Sequence, residues 1–281
     1  MADRNERVRI FEQTMDVCRN DPALRAAIRK SIAGQRIIWE EDPLSAGEER
    51  YDHPAALLVS PERTFEAAVK YLKTGKRICT LNFASSVTPG GGVVTGAGSQ
   101  EESLCRISTL YPALSDRETA GTFYSRHRQM IRSGEMNRKN RDDCIYTPGV
   151  GVIREDTFDC DLLPGEKWYE VDVITCAAPD FRFDSTGRVY RLDGAELMSV
   201  LEKRWKRILS VAAFNRADIL ILGAFGCGVF GNPPEVVAQA FSNVFAEFER
   251  CFGVVEFAVF AQDEDDPNYR VFSGMKGIQK L

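Results

Sequence analysis

The sequence predicts an α/β layered domain behind an N-terminal helical segment, and three observations predict it. From residue 77 onward, candidate strands alternate with candidate helices. One strand, Asp218-Ile-Leu-Ile-Leu222, is short and apolar almost throughout, as a strand covered on both faces of a parallel sheet must be. Before residue 77, apolar residues recur instead at three- and four-residue steps, the period of amphipathic helices.

Val8, Ile10, Phe11, Met15, Val17, Leu24, Ile28 and Ile32 mark two helices between Arg4 and Ala33, with Asp21-Pro22 restarting the second. A polar stretch from Glu40 to Pro54 follows. Ser60-Pro61-Glu62-Arg63 supplies an N-cap and an N1 proline for a helix running to about Lys73, and Thr74-Gly75 ends it. The strand Arg77 to Phe83 opens the main domain, so the chain divides into a helical extension, 1–75, packed on a main α/β domain, 76–281. Helices are expected from Gln100 to about Glu118 and from Gly121 to about Arg132. Strands are expected at Asp143–Thr147, Val150–Arg154 and the β-branched Trp168–Cys176. Leu197, Val200, Leu201, Trp205, Ile208, Leu209 and Ala212 give a long helix from Gly194 to Asn215. A helix from Pro233 to Phe252 and a strand from Val254 to Ala261 complete the pattern.

The 281 residues are 44% hydrophobic, 27% charged and 10% aromatic, which excludes fibrous, coiled-coil and disordered classes. A net charge of −5 and a pI near 5.3 argue against a protein that grips nucleic acid or an anionic membrane through a broad basic field. The start, Met1 to Arg7, is charged with no apolar core behind it, and the longest uncharged stretch, Ile78 to Gln100, holds Pro89 and five glycines. A cytoplasmic protein is expected, with neither a membrane nor a sequence-specific nucleic acid as partner. Eight scattered cysteines without a CxxC pair suit reduced, buried thiols. With only His53 and His127 in the chain, histidine-based hydrolysis and histidine-ligated metals are hard to build. His53 reads as a loop residue, and His127, between Arg126 and Arg128, as part of a solvated helix face.

Two glycine loops carry the chemistry. The first follows the Arg77–Phe83 strand and runs from Asn82 through Gly90-Gly91-Gly92 to Gln100-Glu101-Glu102. Consecutive glycines let backbone amides approach a phosphate or a sugar that a Cβ would hold away. Ser99-x-x-Glu102 also fits a capping box, which would make the glutamates structural. The catalytic reading needs one carboxyl group protonated near neutrality, against the pull of a helix N-terminus, and a neighbouring carboxylate in an apolar surround supplies that push.

The second loop follows the Asp218–Leu222 strand and contains Gly226-Cys227-Gly228-Val229-Phe230-Gly231, then Pro233. A strand, a glycine turn and a helix start make a nest for a diphosphate. Gly226, Gly228 and Gly231 spell GxGxxG, but a dinucleotide fold needs more strands after the fingerprint and an acidic residue some twenty residues on, and neither is present. The amides around Cys227 could depress its thiol pKa; its small size alone justifies its presence.

The triple glycine, a seven-residue spacer and Gln100-Glu101-Glu102, together with Asn82-Phe83-Ala84 and the Gly226–Phe230 loop, resemble the microbial-type poly(ADP-ribose) glycohydrolases. That resemblance covers nearly the whole chain. It implies a macrodomain-like three-layer α/β/α fold with a mixed sheet, and a glycosidase that releases ADP-ribose from poly(ADP-ribose) or ADP-ribosylated protein, cutting from the chain end, without metal or other cofactor. Glu102 would be the general acid and base and Glu101 would hold the ribose. Gly90, Gly91 and Gly92 would approach the bound ADP-ribose. Gly226, Cys227, Gly228 and Val229 would cradle the diphosphate, and Phe230 would pack on the terminal ribose. Gln100 belongs to the same substrate-binding set, and Asn82 contacts ribose or braces the loop. The competing reading is a macrodomain that binds ADP-ribose without cutting it, since fold alone does not separate the two.

Overall fold

A computed structural model describes residues 3–43, 47–183 and 186–281. Met1 and Ala2 of the chain start, and 44–46 of the polar stretch, lie outside the described residues. Helix α1 (Arg4–Asn20) is capped by the Asp3 side chain, and α2 (Pro22–Gly34) by Asp21, which accepts the Leu24 amide; the restart at Asp21-Pro22 is where the sequence put it. Then follow β1 (Arg36–Ile38), β2 (Ala56–Ser60), α3 (Thr64–Val69), β3 (Ile78–Phe83), α4 (Gln100–Ile107), α5 (Leu110–Leu114), α6 (Arg117–Thr119) and α7 (Ser125–Ser133). The second half comprises β4 (Cys144–Val152), β5 (Tyr169–Cys176), α8 (Gly194–Phe214), β6 (Ile219–Leu222), α9 (Pro234–Phe245), β7 (Val254–Ala258), α10 (Pro267–Ser273) and β8 (Gln279–Lys280).

All eight strands form one mixed sheet in the order β1-β4-β5-β3-β6-β7-β2-β8. The run from β5 to β8 is parallel, whereas β4 lies antiparallel to β5 and β1 antiparallel to β4. Alternate residues feed two cores. Leu220, Leu222, Val255 and Phe257 face Trp205, Phe241 and Phe272 of α8, α9 and α10, while Ile219, Ile221 and Val173 face α1, α3, α4 and α5. The α/β/α layering is therefore as expected.

Residues 1–75 are not a purely helical extension. They supply β1 at one edge and β2 between β7 and β8, two strands too short to establish a period in the sequence. Ser60 ends β2 and donates to the buried carboxylate of Glu256 instead of capping a helix, so α3 starts at Thr64 and stops at Val69, ahead of a 3₁₀ turn closed by Gly75. The single helix expected from Gln100 breaks where Ser108 turns extended and bridges to Val152. The two strands expected around Pro148 are one strand with an irregular step between Thr147 and Val150. Helix α9 ends at Phe245 rather than Phe252, and α10 and β8 follow the strand expected to be last.

Candidate active site

The carboxyl ends of β5, β3, β6, β7 and β2 stand side by side along one rim of the sheet, where ligands of parallel α/β sheets bind. The loops that leave them enclose a cleft of about 690 Å³, within the range of small-molecule sites. Gly91, Gly92, Gln100, Glu101, Glu102, Gly226, Gly228, Val229 and Phe230 all line it. Two loops separated in sequence thus meet across one cavity.

Glu101 and Glu102 open α4, yet neither serves as its cap. Ser99 makes no side-chain capping bond, and Glu102 reaches back across the loop so that Oε1 accepts the Gly92 amide at 2.8 Å. Glu102 Oε2 is buried with no hydrogen-bond partner among the described residues. Glu101 Oε2 accepts the Ser85 amide at 2.7 Å, and Oε1 faces Asn82 Nδ2 at 3.3 Å. Burial pushes the Glu101 carboxyl up to about 8; the Ser85 amide pulls it down, and the charge of Glu102 adds to the rise. A protonated carboxyl group near neutrality is therefore available in the pair, held on Glu101.

Gly91 explains the spacing between the glycines and the glutamates. Its φ is +57°, and a Cβ there would sit 2.4 Å from Glu102 Oε1 and 2.9 Å from Glu101 Oε2. Both carboxyl groups thus flank a backbone that only glycine supplies. Gly90 stands behind the cleft wall against the Tyr111 ring.

Three expected site residues support the cleft from behind. Asn82 is fully buried and bridges Glu101 and Thr175, so it braces the glutamate. Gln100 lines the cleft, but its amide is committed to the Phe83 amide, the Leu81 carbonyl and the Thr64 hydroxyl. Cys227 points inward, and burial pushes its thiol up to about 12; the depression expected from surrounding amides is absent because the side chain is desolvated.

In the second loop the amides of Gly228, Val229 and Phe230 make no backbone hydrogen bond to any described residue, so three successive donors are uncommitted in a stretch that lines the cleft ahead of α9. Buried Asn232 closes that loop by donating to Gly226 O at 3.0 Å and Pro179 O at 2.7 Å. The ring of Phe230 lies under the Arg182 guanidinium, 4.8 Å away, and Asp180 holds Arg182 in place.

Residues 5–155 match the family model described as microbial-type PARG, catalytic domain. The chain is 30% identical to the poly(ADP-ribose) glycohydrolase of Thermomonospora curvata, covering 96% of this chain and 99% of that one with a TM-score of 0.82. The same enzyme solved with the inhibitor ADP-HPD gives a TM-score of 0.81 at the same identity and coverage. The Deinococcus radiodurans enzyme, solved with ADP-ribose, is 32% identical, covers 90% of this chain and 96% of that one, and has a TM-score of 0.75. The chain belongs to the microbial-type poly(ADP-ribose) glycohydrolases. Comparison with curated proteins finds no match. Membership makes this glycohydrolase a glycosidase rather than a module that only binds ADP-ribose.

Sequence reasoning missed the far end of the glycohydrolase cleft. Phe260, after β7, and Arg63 and Thr64, after β2, line it together with Asn268. The Arg63 guanidinium is held between Phe158 and Phe260, 4.5 and 4.2 Å from the ring centres. These residues are far apart in sequence, and only the pairing of β7 with β2 brings them together. His127 was also misread. It is 2% exposed, whereas His53 is the exposed loop residue expected. Arg138, Lys139 and Arg141, close together in the chain, are tied to Asp180, Glu196 and the Glu40, Glu41 and Asp143 carboxylates. All eight cysteines are free thiols, and no helix among the described residues is long and apolar enough to cross a membrane.

Proposed function

We propose that this glycohydrolase cleaves the ribose–ribose O-glycosidic bond of poly(ADP-ribose) with Glu102 as general acid and base, releasing ADP-ribose from the chain end. One observation carries the reading: Glu102 lines the cleft and is fixed through Oε1 by the Gly92 amide, while its buried Oε2 has no hydrogen-bond partner among the described residues. A buried carboxylate oxygen without a partner costs free energy unless a ligand completes it.

The order of loops along the rim supports a pose. The glutamates follow β3, the amide nest follows β6 and Phe260 follows β7, so terminal ribose, diphosphate and adenosine would lie in that sequence across neighbouring strands. Relatives solved with ADP-ribose and with ADP-HPD support a ligand of that length in this cleft. Glu102 donates a proton to the leaving ribose oxygen, positive charge develops on the terminal ribose, and the resulting carboxylate then takes a proton from the attacking water. Glu101, neutral at rest, hydrogen-bonds the ribose and passes its proton to Glu102 for delivery to the leaving oxygen, and the proton later taken from water returns the pair to its starting state. Phe230 packs on the terminal ribose, and the diphosphate on Gly228, Val229 and Phe230 lies close enough to stabilise the cation. The reading includes ADP-ribosylated protein as a client and the cytoplasm as the location, in keeping with eight unpaired thiols.

The test is to incubate the protein with poly(ADP-ribose) and follow free ADP-ribose by chromatography, beside Glu102→Gln. Release by the parent and not by the variant supports the assignment. Equal release by both removes Glu102 from the role, and no release with calorimetric binding of ADP-ribose points to a reader.

A further inference from the structure

We propose that His127 is a positioning residue for the glutamate pair, acting on Glu101 through the backbone that joins β3 to the triple glycine. The proposal rests on the reading of Glu101 and Glu102 given above. His127 lies on α7, packed against the rings of Phe123 at 4.3 Å and Trp39 at 6.2 Å. Its Nδ1 is 2.9 Å from the Ser86 carbonyl oxygen and its Nε2 is 2.8 Å from Asp143 Oδ2. Both partners are acceptors, so a ring protonated on both nitrogens donates to both at once.

Further donors converge on the Asp143 carboxylate and fix its position. Asp143 Oδ2 also accepts from Arg141 Nε at 3.0 Å, and Asp143 Oδ1 accepts the Glu40 amide at 2.5 Å. Burial opposes ionisation of Asp143, but the bond from His127, the Glu40 amide and Arg141 outweigh it and hold the carboxyl below its ordinary range. Arg141 in turn meets the carboxylates of Glu40 and Glu41.

Arg128, next to His127 on α7, donates to the Val87 carbonyl at 2.7 Å, so α7 grips two successive carbonyls of the 84–88 segment. Ser85, immediately upstream, gives its amide to Glu101 Oε2. The gripped Ser86 carbonyl lies two peptide planes downstream of that amide, so a shift of the 86–88 backbone is passed up the segment to the Ser85 N–H that orients the carboxyl group. Packing alone would not call for a buried imidazole and carboxylate, since an apolar pair of similar volume is often neutral or more stable. The ionic pair instead supplies direction at one carbonyl.

The experiment compares steady-state cleavage of poly(ADP-ribose) by the parent, His127→Phe, His127→Asn and Glu102→Gln. Phenylalanine fills the space between Trp39 and Phe123 but donates nothing, whereas asparagine can place an amide nitrogen near the Nδ1 position and restore the bond to Ser86. For His127→Phe, kcat is expected to fall roughly 10- to 100-fold with KM within about threefold, as for a misplaced catalytic group. His127→Asn is expected to recover several-fold of that loss. A His127→Phe protein that melts cooperatively and keeps the parent's kcat overturns the proposal, as does a defect confined to KM. Where His127→Phe does not melt cooperatively, His127→Leu takes its place as the variant without a donor, and a folded His127→Leu with the parent's kcat, or with a defect confined to KM, overturns the proposal equally. An inactive parent, or a Glu102→Gln variant as active as the parent, locates the failure in the proposed function instead.

Discussion

Glu102 Oε1 accepts the amide of Gly92, ten residues back, at 2.8 Å. The same side chain could have closed a capping box on Ser99, three residues back, and that choice decides what the glutamate is for. A capping carboxylate spends its acceptors on its own helix; this one ties α4 to the triple-glycine loop and keeps a buried oxygen without a partner among the described residues. Glu102→Gln keeps the shape and an acceptor for Gly92 but has no proton to give. Cleavage is expected to fall on the order of 10²-fold or more, with ADP-ribose affinity by calorimetry nearly unchanged. A helix cap, in contrast, would show its loss in Tm and not in kcat.

Glu101 gives a stability signature separable from activity. Its carboxyl is pushed by burial from an ordinary 4.5 to about 8. The folded protein therefore holds a proton between those values that the unfolded chain releases, so this group's contribution is fully present below about 4.5 and is lost as pH rises through about 8. Glu101→Gln has no charge to bury. Its Tm relative to the parent should climb between pH 5 and pH 8.5, and a constant difference across that range would show that Glu101 is not the titrating group.

Gly91→Ala tests the backbone between the carboxyl groups. The new methyl would meet Glu102 Oε1 at 2.4 Å in a residue with φ of +57°. The left-handed conformation alone costs roughly 1–2 kcal/mol for a residue with a Cβ, and relief of the clash moves the glutamates. Stability by denaturant titration should drop by about that amount while kcat falls much further, about 10²-fold, by displacement of the acid. A loss of stability with full activity would mean that the carboxyl groups tolerate the shift.

How much of this could be read from the chain follows from which interactions are local. The Asp21 restart, the triple glycine, Gln100-Glu101-Glu102 and the Gly226–Phe230 turn each lie within one short segment, and each was legible. Ser60 was misassigned because a serine before a proline looks like a cap, while its partner, Glu256, is 196 residues away. Arg63, Phe260 and Asn232 join the cleft only through strand order and loop closure, which local periodicity does not encode. His127 looked solvated between two arginines. Yet it falls four residues after Phe123 and three after Tyr124, on the buried face that those two rings mark, and the flanking charges obscured that spacing.

Removal of residues 1–75 is expected to abolish folding, although the sequence offers a tidy boundary before β3. The cut deletes β2 from between β7 and β8, exposing a bare edge on a buried parallel sheet. It strips Ile10, Phe11, Met15 and Leu24 from one of the two cores. It also releases the catalytic loop, because Arg4 Nε and Arg7 Nε hold the Thr95 and Gly96 carbonyls at 2.6 and 2.7 Å, directly between the triple glycine and Glu101. A fragment beginning at Lys76 should be insoluble or lack a cooperative thermal transition. A milder change separates the two effects: Arg4→Ala with Arg7→Ala leaves the sheet intact, so Tm should move little while kcat falls several-fold. A soluble Lys76 fragment with full activity would mean that the N-terminal segment neither completes the sheet nor shapes the loop.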